Sequence, residues 1–263
     1  MLRSNPHPAT RGSLGNNGLV RAYRFGIDQA AADRLGLVAA AYESVSRQFL
    51  AANALPIPRV ALDLGCGPGF TTELLYEVVR PEKVIGIDTS ETFLVSARSR
   101  LPPGQFGTFD VTELPLPGAP ADLIYARLLL AHLADPEAVA QGWRTQLAPG
   151  GRLLIEDLDG VVNPVGPLHD YEDLSARIVR SGGGLMYAGA ELSELGGGVK
   201  PVTVPGALAA RIYLFNIRHW LNAPGLPVTD AELRDVEHGL LQTVENRDSD
   251  SVSWLVRQLV LTS

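Results

Sequence analysis

Cysteine and long hydrophobic runs are scarce in this sequence of 263 residues. The only cysteine, Cys66, cannot form an internal disulfide, and no histidines and cysteines have the spacing of a zinc site. No apolar run approaches the roughly 18 residues that a membrane-spanning helix needs. We therefore expect no membrane segment and a reducing, cytoplasmic location, and we interpret Cys66 as a small packing residue.

Basic residues are outnumbered as well, with 22 Lys and Arg against 29 Asp and Glu and a net charge of -7. Proteins that bind nucleic acid usually present a basic face to the phosphates, so we expect no nucleic-acid partner. The first 18 residues are rich in Pro, Gly, Ser and Asn and lack the apolar centre of a secretory signal. We expect a flexible tail over 1–20 and either a monomer or a homodimer.

Strand-like and helix-like segments alternate from residue 29 to residue 157. The first helix is predicted over 29–52, where Asp28 supplies the cap and apolar residues recur every three or four positions. Short apolar runs predict five strands, and periodic segments between them predict helices. The predicted strands are 59–64, 83–87, 105–109, 122–126 and 152–157, and the predicted helices between them are 70–79, 90–100, the segment through His132, and 135–147.

Beyond residue 160 the alternation weakens. We expect helices over 167–180 and 230–244, a short helical piece between the two glycine triplets, strand-like stretches within 199–215 and a final strand over 252–261. Strands that alternate with helices imply a parallel sheet covered on both faces. The predicted fold is α/β, a doubly wound, mainly parallel, seven-stranded Rossmann-like sheet whose last two strands are wholly or partly antiparallel.

Carboxylates follow the predicted strands at the edge where parallel sheets bind ligands. Asp63 lies in the first strand, Asp88 ends the second and Asp110 ends the third. A carboxylate at the end of the second strand can accept hydrogen bonds from two ribose hydroxyls. The sequence therefore predicts a nucleoside-binding site, with the alternative that Asp63 only caps the neighbouring turn.

The turn after the first strand is Gly-Cys-Gly-Pro-Gly, from Gly65 to Gly69. Glycines without a Cβ let a ligand approach the main chain closely. Dinucleotide-binding folds prefer Gly-x-Gly-x-x-Gly, which directs a helix N-terminus at a pyrophosphate. The negative charge of the Asp63 carboxylate repels a diphosphate and attracts an ammonium group, directly or through water. The turn thus favours a cofactor without phosphates.

Five segments in order resemble the class I S-adenosylmethionine-dependent methyltransferases. They are ALDLGCGPGFTT at 61–72, VIGIDTS at 84–90, FDVTELPLP at 109–117, DLIYARLLLAHLADP at 122–136 and LAPGGRLLIEDLD at 147–159. The resemblance implies that Gly65 and Gly67 contact the methionine part of S-adenosylmethionine, that Asp88 binds the ribose and that Asp110 faces the adenine amino group. It also implies that Thr89 and Val111 form walls beside the adenine.

The segment YRFGIDQAAADRL at 23–35 is similar to the N-terminal helix and lid of a small-molecule branch of this family. The similarity implies that Tyr23 covers the cofactor. We expect a helical lid over 21–55 and a methyltransferase domain over 56–263, with acceptor-binding elements in about 160–225. After the fourth strand the chain has Tyr-Ala-Arg-Leu in place of the Asn-Pro-Pro-Tyr of the branches that methylate nucleic-acid and peptide amino groups. DNA adenine and peptide glutamine are therefore not expected as acceptors.

Several side chains are candidates on the acceptor side. Arg127 either binds a ligand carboxylate, for which we count it with the cofactor residues, or pairs with a structural acid. His132 is either a catalytic base or a packed core residue. Glu156 is a second catalytic candidate, and we expect Tyr23, Arg127, His132 and Glu156 to approach one cavity. Glu156, Asp157 and Asp159 either hold Mg²⁺, as in catechol-type methyltransferases, or form an acidic loop or pocket wall, which we favour, so we predict no metal.

These features predict an S-adenosylmethionine-dependent methyltransferase that acts on a small molecule and releases S-adenosylhomocysteine. The methylated atom and the acceptor stay open, and secondary or cofactor metabolism is the expected setting. Two alternatives remain. A methyltransferase-like domain could bind the cofactor without transferring methyl, or a related sheet could serve an NAD-dependent oxidoreductase.

Overall fold

The computed structural model describes residues 23–221, 223–246 and 250–263, so the predicted tail over 1–20 lies outside the described residues. Seven strands of the described chain form one sheet: β1 Val60–Leu64, β2 Lys83–Asp88, β3 Gln105–Thr108, β4 Ala121–Arg127, β5 Leu147–Val162, β6 Gly198–Val204 and β7 Val252–Thr262. The helices are α1 Gln29–Asn53, α2 Phe70–Val79, α3 Glu91–Arg100, α4 Pro136–Arg144, α5 Pro167–Ser181, α6 Ala188–Glu191, α7 Gly206–Trp220 and α8 Asp230–Glu245. Short 3₁₀ turns lie at Leu130–His132 and Ser193–Leu195.

The strand order in the sheet is β3-β2-β1-β4-β5-β7-β6. β1 pairs in parallel with β2 on one side and with β4 on the other, and β7 is antiparallel to both β5 and β6. The prediction of a mainly parallel seven-stranded sheet that closes with an antiparallel pair is confirmed. Strand order reverses between β1 and β4, and ligands bind at such a reversal, beyond the carboxyl ends of the strands.

Both faces of the sheet are covered because successive side chains of a strand point to opposite faces. Ala61, Leu123 and Tyr125 pack with α1 and α2 on one face, whereas Leu62 and Ile124 pack with α4 on the other. Strands that are buried in this way on both faces are continuously apolar. No helix among the described residues is long and apolar enough to cross a membrane.

Side-chain caps fix several helix starts as the sequence predicts. Asp28 Oδ1 accepts a hydrogen bond from Ala31 N at 2.9 Å at the start of α1. Ser90 caps α3, and Asp135 caps α4 by accepting from Ala138 N at 3.0 Å. Each bond satisfies a backbone donor that the first turn of a helix leaves free.

Four predicted elements differ from the structure. Strand-like stretches were expected within 199–215, but only Gly198–Val204 is a strand and α7 occupies the remainder, because Ala209, Tyr213 and Asn216 bury one helical face. The predicted helix through His132 is a single 3₁₀ turn, since Leu128 takes a positive φ of 55° and breaks the chain direction there. The last predicted helix before β5 ends at Arg144, three residues earlier than predicted. Strand β5 is longer than predicted at both ends, because Leu147 already pairs with Ala121 of β4 and pairing with β7 continues as far as Val162.

Candidate active site

The glycine turn after β1 is pinned to the end of β2. Cys66 N donates to Ile87 O at 3.0 Å, and Gly67 N donates to Asp88 Oδ2 at 2.9 Å. Gly65 has a φ of +66°, and a Cβ there would lie 2.7 Å from Leu129 Cδ1. Both the backbone conformation and the available space therefore require glycine at this position.

A cavity of about 210 Å³ opens beside this turn, at the carboxyl ends of β1, β2 and β4. It brings together eight of the nine residues predicted to bind the cofactor: Tyr23, Gly65, Gly67, Asp88, Thr89, Asp110, Val111 and Arg127. We call this space the turn cavity. These residues are far apart in the sequence, so their convergence follows from the sheet topology and not from local sequence.

Asp88 and Asp110 contribute the carboxylates of the turn cavity. Asp88 Oδ1 accepts from Ser90 N at 2.8 Å while Oδ2 holds the glycine turn. Burial raises the pKa of Asp88, and the backbone N–H groups of Ser90 and Gly67 oppose that rise. Asp110 Oδ1 accepts from both the N and the Oγ1 of Thr112, at 2.9 and 2.7 Å. Each Asp88 oxygen keeps a second lone pair, and neither bond to Asp110 uses its Oδ2, so both carboxylates have acceptor capacity for a ligand.

Asp63 does not line the turn cavity and lies beneath the turn, fully buried. Its Oδ2 accepts from Thr71 Oγ1 at 2.7 Å and from Thr72 Oγ1 at 2.6 Å, at the start of α2. No residue in the described part of the chain donates a hydrogen bond to its Oδ1. Burial raises the pKa of Asp63 to about 6 despite these two bonds. In the structure the carboxylate of Asp63 therefore holds the start of α2.

Tyr23 and His132 form a wall that the turn cavity shares with a second cavity. Their rings meet edge to face, with centroids 4.8 Å apart and an interplanar angle of 77°. Tyr23 Oη accepts a hydrogen bond from Arg34 Nη2 at 2.9 Å. Burial, together with the charge of Arg34, lowers the pKa of His132 to about 4. The imidazole is therefore neutral at physiological pH.

The second cavity has a volume of about 190 Å³ and lies between α1, α5, α7 and β7. We call it the aromatic cavity. Sequence reasoning missed its distinctive residues, which are Tyr171, Glu172, Tyr213, Asn216 and Trp254. One feature of the sequence could have indicated this cavity. Glu172 and Asn216 are polar residues on the otherwise apolar, buried faces of α5 and α7.

Arg127 and Glu156, at paired positions of β4 and β5, have different surroundings. Arg127 lines the turn cavity, donates to Ser46 Oγ at 3.1 Å and lies 5.8 Å from the ring centroid of Tyr42. Glu156 lines neither cavity. Its carboxylate accepts from Tyr125 Oη at 2.6 Å and from Gln258 Nε2 at 2.8 Å. The prediction that Glu156 approaches the same cavity as Tyr23, Arg127 and His132 is wrong, because the neighbouring strands β4 and β7 enclose its side chain.

The acidic residues Asp157 and Asp159, which lie within β5, have separate partners. Asp157 accepts from Leu130 N and Leu158 N, both at 2.9 Å, and Asp159 pairs with Arg257 at 2.8 Å. Within the described residues no group of three or more His, Cys, Asp or Glu side chains is arranged to hold a metal ion. Asp157 lines the aromatic cavity, and burial raises its pKa to about 7.

Comparison with known proteins identifies part of the chain as similar to a known domain. A family model described as a methyltransferase domain matches residues 62–155, which run from β1 into β5. The fold is similar to that of YjhP from E. coli, with a TM-score of 0.50 and 18% identity over 84% of this chain and 91% of that chain. Residues 62–155 of the chain therefore match a methyltransferase domain. The methyltransferase domain predicted from the sequence motifs is confirmed.

Curated relatives of this methyltransferase domain include two trans-aconitate 2-methyltransferases. That of Variovorax paradoxus is 42% identical over 120 residues, which are 45% of this chain and 46% of the relative. That of Methylobacterium radiotolerans is 41% identical over 117 residues, 44% of this chain and 45% of the relative. The match with these relatives thus spans a little under half of their length. Similarity over this share supports the domain and leaves the acceptor of the chain undecided.

Proposed function

We propose that this chain transfers the methyl group of S-adenosylmethionine to a small-molecule acceptor and releases S-adenosylhomocysteine. One observation carries the proposal: two cavities of similar size meet at Tyr23 and His132, where the methyltransferase strands end. We assign the cofactor to the turn cavity and the acceptor to the aromatic cavity. Two ligands bound in adjoining cavities fit a reaction in which a group passes from one ligand to the other.

The charges of the turn cavity favour S-adenosylmethionine over a dinucleotide. Asp88 and Asp110 supply two carboxylates, and Arg127 is the only lysine or arginine among the described lining residues. A diphosphate would meet more negative than positive charge there. A Cβ placed on Gly67 would meet only Leu35, at 3.6 Å, so the glycine leaves space for a ligand beside the turn. These features disfavour the NAD-dependent alternative.

Each predicted cofactor residue has a role that fits its contacts. Asp88 would accept ribose hydroxyls with the lone pairs that Gly67 and Ser90 leave free. Thr89, Asp110 and Val111 would surround the adenine, and Tyr23 would cover the cofactor. Trp143 Nε1 donates to Val111 O at 2.8 Å and holds that wall in place. Asp63 would support the cofactor site indirectly, because its carboxylate accepts hydrogen bonds from Thr71 and Thr72 at the start of α2.

The transfer itself depends mainly on alignment. When bound, S-adenosylmethionine supplies a methyl group on a positively charged sulfur, a very good leaving group. The chain has to hold the acceptor in line with that methyl group, and such positioning can supply several kcal/mol. A base is needed only when the acceptor must lose a proton. His132, which lines both cavities, and Asp157, which lines the aromatic cavity, are the candidates.

Trans-aconitate, the acceptor named for the relatives, is one candidate acceptor for this chain. Several features remain predictions: the lid over 21–55, the domain boundaries, the monomeric or homodimeric state, the absence of a nucleic-acid partner and the cytoplasmic location.

Calorimetric titration with S-adenosylmethionine, S-adenosylhomocysteine and NAD tests the proposal. We expect both sulfur compounds to bind with micromolar affinity and NAD not to bind. Binding of NAD alone would point to the oxidoreductase alternative. A second assay follows transfer of a radiolabelled methyl group to a metabolite panel. Tight S-adenosylhomocysteine binding without transfer to any metabolite would favour a domain that binds the cofactor and acts as a scaffold or sensor.

A further inference from the structure

The aromatic cavity is lined by a stack of rings. Tyr42, Trp254, Tyr213 and Tyr171 follow one another with ring centroids 5.6, 6.3 and 3.7 Å apart. Their interplanar angles of 30°, 27° and 11° keep neighbouring rings near parallel. Aromatic side chains pack favourably against another ring, either offset-stacked or edge to face. The walls therefore favour a ligand with a flat, apolar body.

The hydroxyl and carboxylate groups of this wall satisfy one another. Tyr213 Oη donates to Glu172 Oε1 and accepts from Trp254 Nε1, at 2.5 and 3.2 Å. Tyr187 Oη donates to Glu172 Oε2 at 2.9 Å. Glu172 is thus held by two phenols. A ligand need not provide partners for these groups.

Three polar atoms around the aromatic cavity have no partner within the described residues: Arg24 Nε, Arg34 Nε and Asn216 Oδ1. Buried polar atoms are normally hydrogen-bonded, so unpaired ones on side chains that line a cavity point to a ligand. Asn216 Oδ1 can accept a bond from a hydroxyl or amino group. The two Nε atoms can donate to a carboxylate or carbonyl oxygen.

The charges of this cavity do not match a polyanion. Arg24 and Arg34 are opposed by Glu172 and, as the pH rises through its pKa of about 7, by Asp157, and His132 is neutral. Trans-aconitate carries three carboxylates, and a buried charge without a counter-ion is strongly unfavourable. Most of the lining residues, including those of α5, α7 and β7, lie beyond residue 155, where the match to the family model ends. The acceptor of the relatives is therefore not implied by the shared domain.

We propose that the acceptor is a planar aromatic molecule that carries a hydroxyl or amino group and no more than one carboxylate. This inference rests on the proposed function, because it assigns the aromatic cavity to the methyl acceptor. The rings would hold the aromatic body, Asn216 would accept from the hydroxyl or amino group, and the two arginines would bind the single carboxylate.

The test measures binding of catechol, salicylate, 4-hydroxybenzoate, anthranilate and trans-aconitate to the full chain saturated with S-adenosylhomocysteine. We expect at least one aromatic compound to bind tenfold or more tightly than trans-aconitate and to accept methyl from S-adenosylmethionine. Trans-aconitate as the tightest ligand would overturn the inference. So would failure of every aromatic compound to bind while S-adenosylhomocysteine binds, a result that leaves the proposed function standing. Failure of S-adenosylhomocysteine itself to bind would overturn both.

Three variants locate the binding. Asn216→Leu and Trp254→Leu should each weaken binding of the aromatic ligand tenfold or more and leave S-adenosylhomocysteine affinity unchanged. Trp254→Phe keeps an aromatic ring, so it should retain most of the affinity that Trp254→Leu loses. Arg218→Ala is the matched control on α7, because Arg218 pairs with Glu237 and lines neither cavity. Retention of full aromatic binding by both leucine variants, with unchanged folding by circular dichroism, would overturn the assignment to this cavity.

Discussion

Asp88 combines two tasks at one carboxylate. It fixes the glycine turn through Gly67 N and the start of α3 through Ser90 N, and it also lines the turn cavity. Its substitution therefore removes ligand contacts and also loosens the backbone that shapes the cavity. A residue with such a double role is expected to dominate cofactor affinity.

We expect Asp88→Ala to weaken S-adenosylhomocysteine binding at least about tenfold, because up to two hydrogen bonds to a charged acceptor are lost, each worth about 1.5–3 kcal/mol. Calorimetric titration measures the loss. Asp122→Ala is the control, since Asp122 caps β1 through Val60 N at the opposite edge of the sheet and lines neither cavity. Unchanged affinity in a folded Asp88→Ala variant would contradict the site assignment.

His132 lies among aromatic rings, 4.8 Å from Tyr23 and 6.0 Å from Phe25 between centroids. A pKa of about 4 makes it a weak base at neutral pH. We expect His132→Ala to lower the free energy of unfolding by about 0.5–3 kcal/mol, and His132→Phe to restore most of that stability together with turnover. The pH profile of methyl transfer should keep its shape in the phenylalanine variant. A rate loss of about 10²–10⁴ in a stable His132→Phe enzyme would instead assign it the role of base.

The residues of the two cavities differ in how far the sequence reveals them. Gly65, Gly67, Asp88 and Asp110 lie in short motifs at or just beyond the ends of strands, so local spacing is enough to locate them. Glu156 is close to the end of the strand predicted over 152–157, yet β5 continues to Val162 and its pairing with β7 encloses Glu156, and the sequence gives no sign of this partner. The lining of the aromatic cavity depends on how distant helices pack, which local patterns do not encode.

At the scale of elements, the parallel strands and their capped helices follow from sequence, whereas α7 does not. Its segment contains Ile212, Tyr213 and Phe215, residue types with a high β propensity. Helical packing against α1, α5 and α8 outweighs that preference, because it buries Ile217 and Trp220 together with Tyr213. Tertiary burial therefore decides the structure of this segment.

Helix α8 supports α5 and α7 from outside the two cavities. Thr229 and Glu232 form a capping box at its start, with Glu232 N donating to Thr229 Oγ1 at 3.2 Å. We expect Thr229→Ala to lower the free energy of unfolding by about 1 kcal/mol, and Thr229→Ser to leave it nearly unchanged. Chemical denaturation measures both. S-adenosylhomocysteine affinity should not change in either variant, and a loss there would mean that α8 influences the turn cavity.

At the scale of the whole molecule, burial of ionisable groups near the ligand edge of the sheet makes stability depend on pH. Burial raises the pKa of Asp157 to about 7 and that of Asp63 to about 6, and lowers that of His132 to about 4. The two acids hold protons in the folded state that the unfolded chain has released, so they oppose folding as the pH rises. His132 acts in the opposite direction, because the unfolded chain protonates it below about 6.5.

These opposing effects separate above about pH 6.5, where folded His132 is neutral, unfolded His132 is at most half protonated and Asp63, with a pKa near 6, is largely ionised. Between pH 6.5 and 7.5 the free energy of unfolding should fall with rising pH mainly because Asp157, with a pKa near 7, ionises in a buried site. Asp157→Asn cannot ionise, so we expect its free energy of unfolding to be nearly flat in this window. Its amide can accept from only one of Leu130 N and Leu158 N, which adds a destabilisation that does not vary with pH. Urea denaturation of both proteins at closely spaced pH values separates the constant loss of stability in the variant from the difference in how the free energy of unfolding changes with pH. Equal slopes against pH in the two proteins would mean that Asp157 is already ionised below pH 6.5.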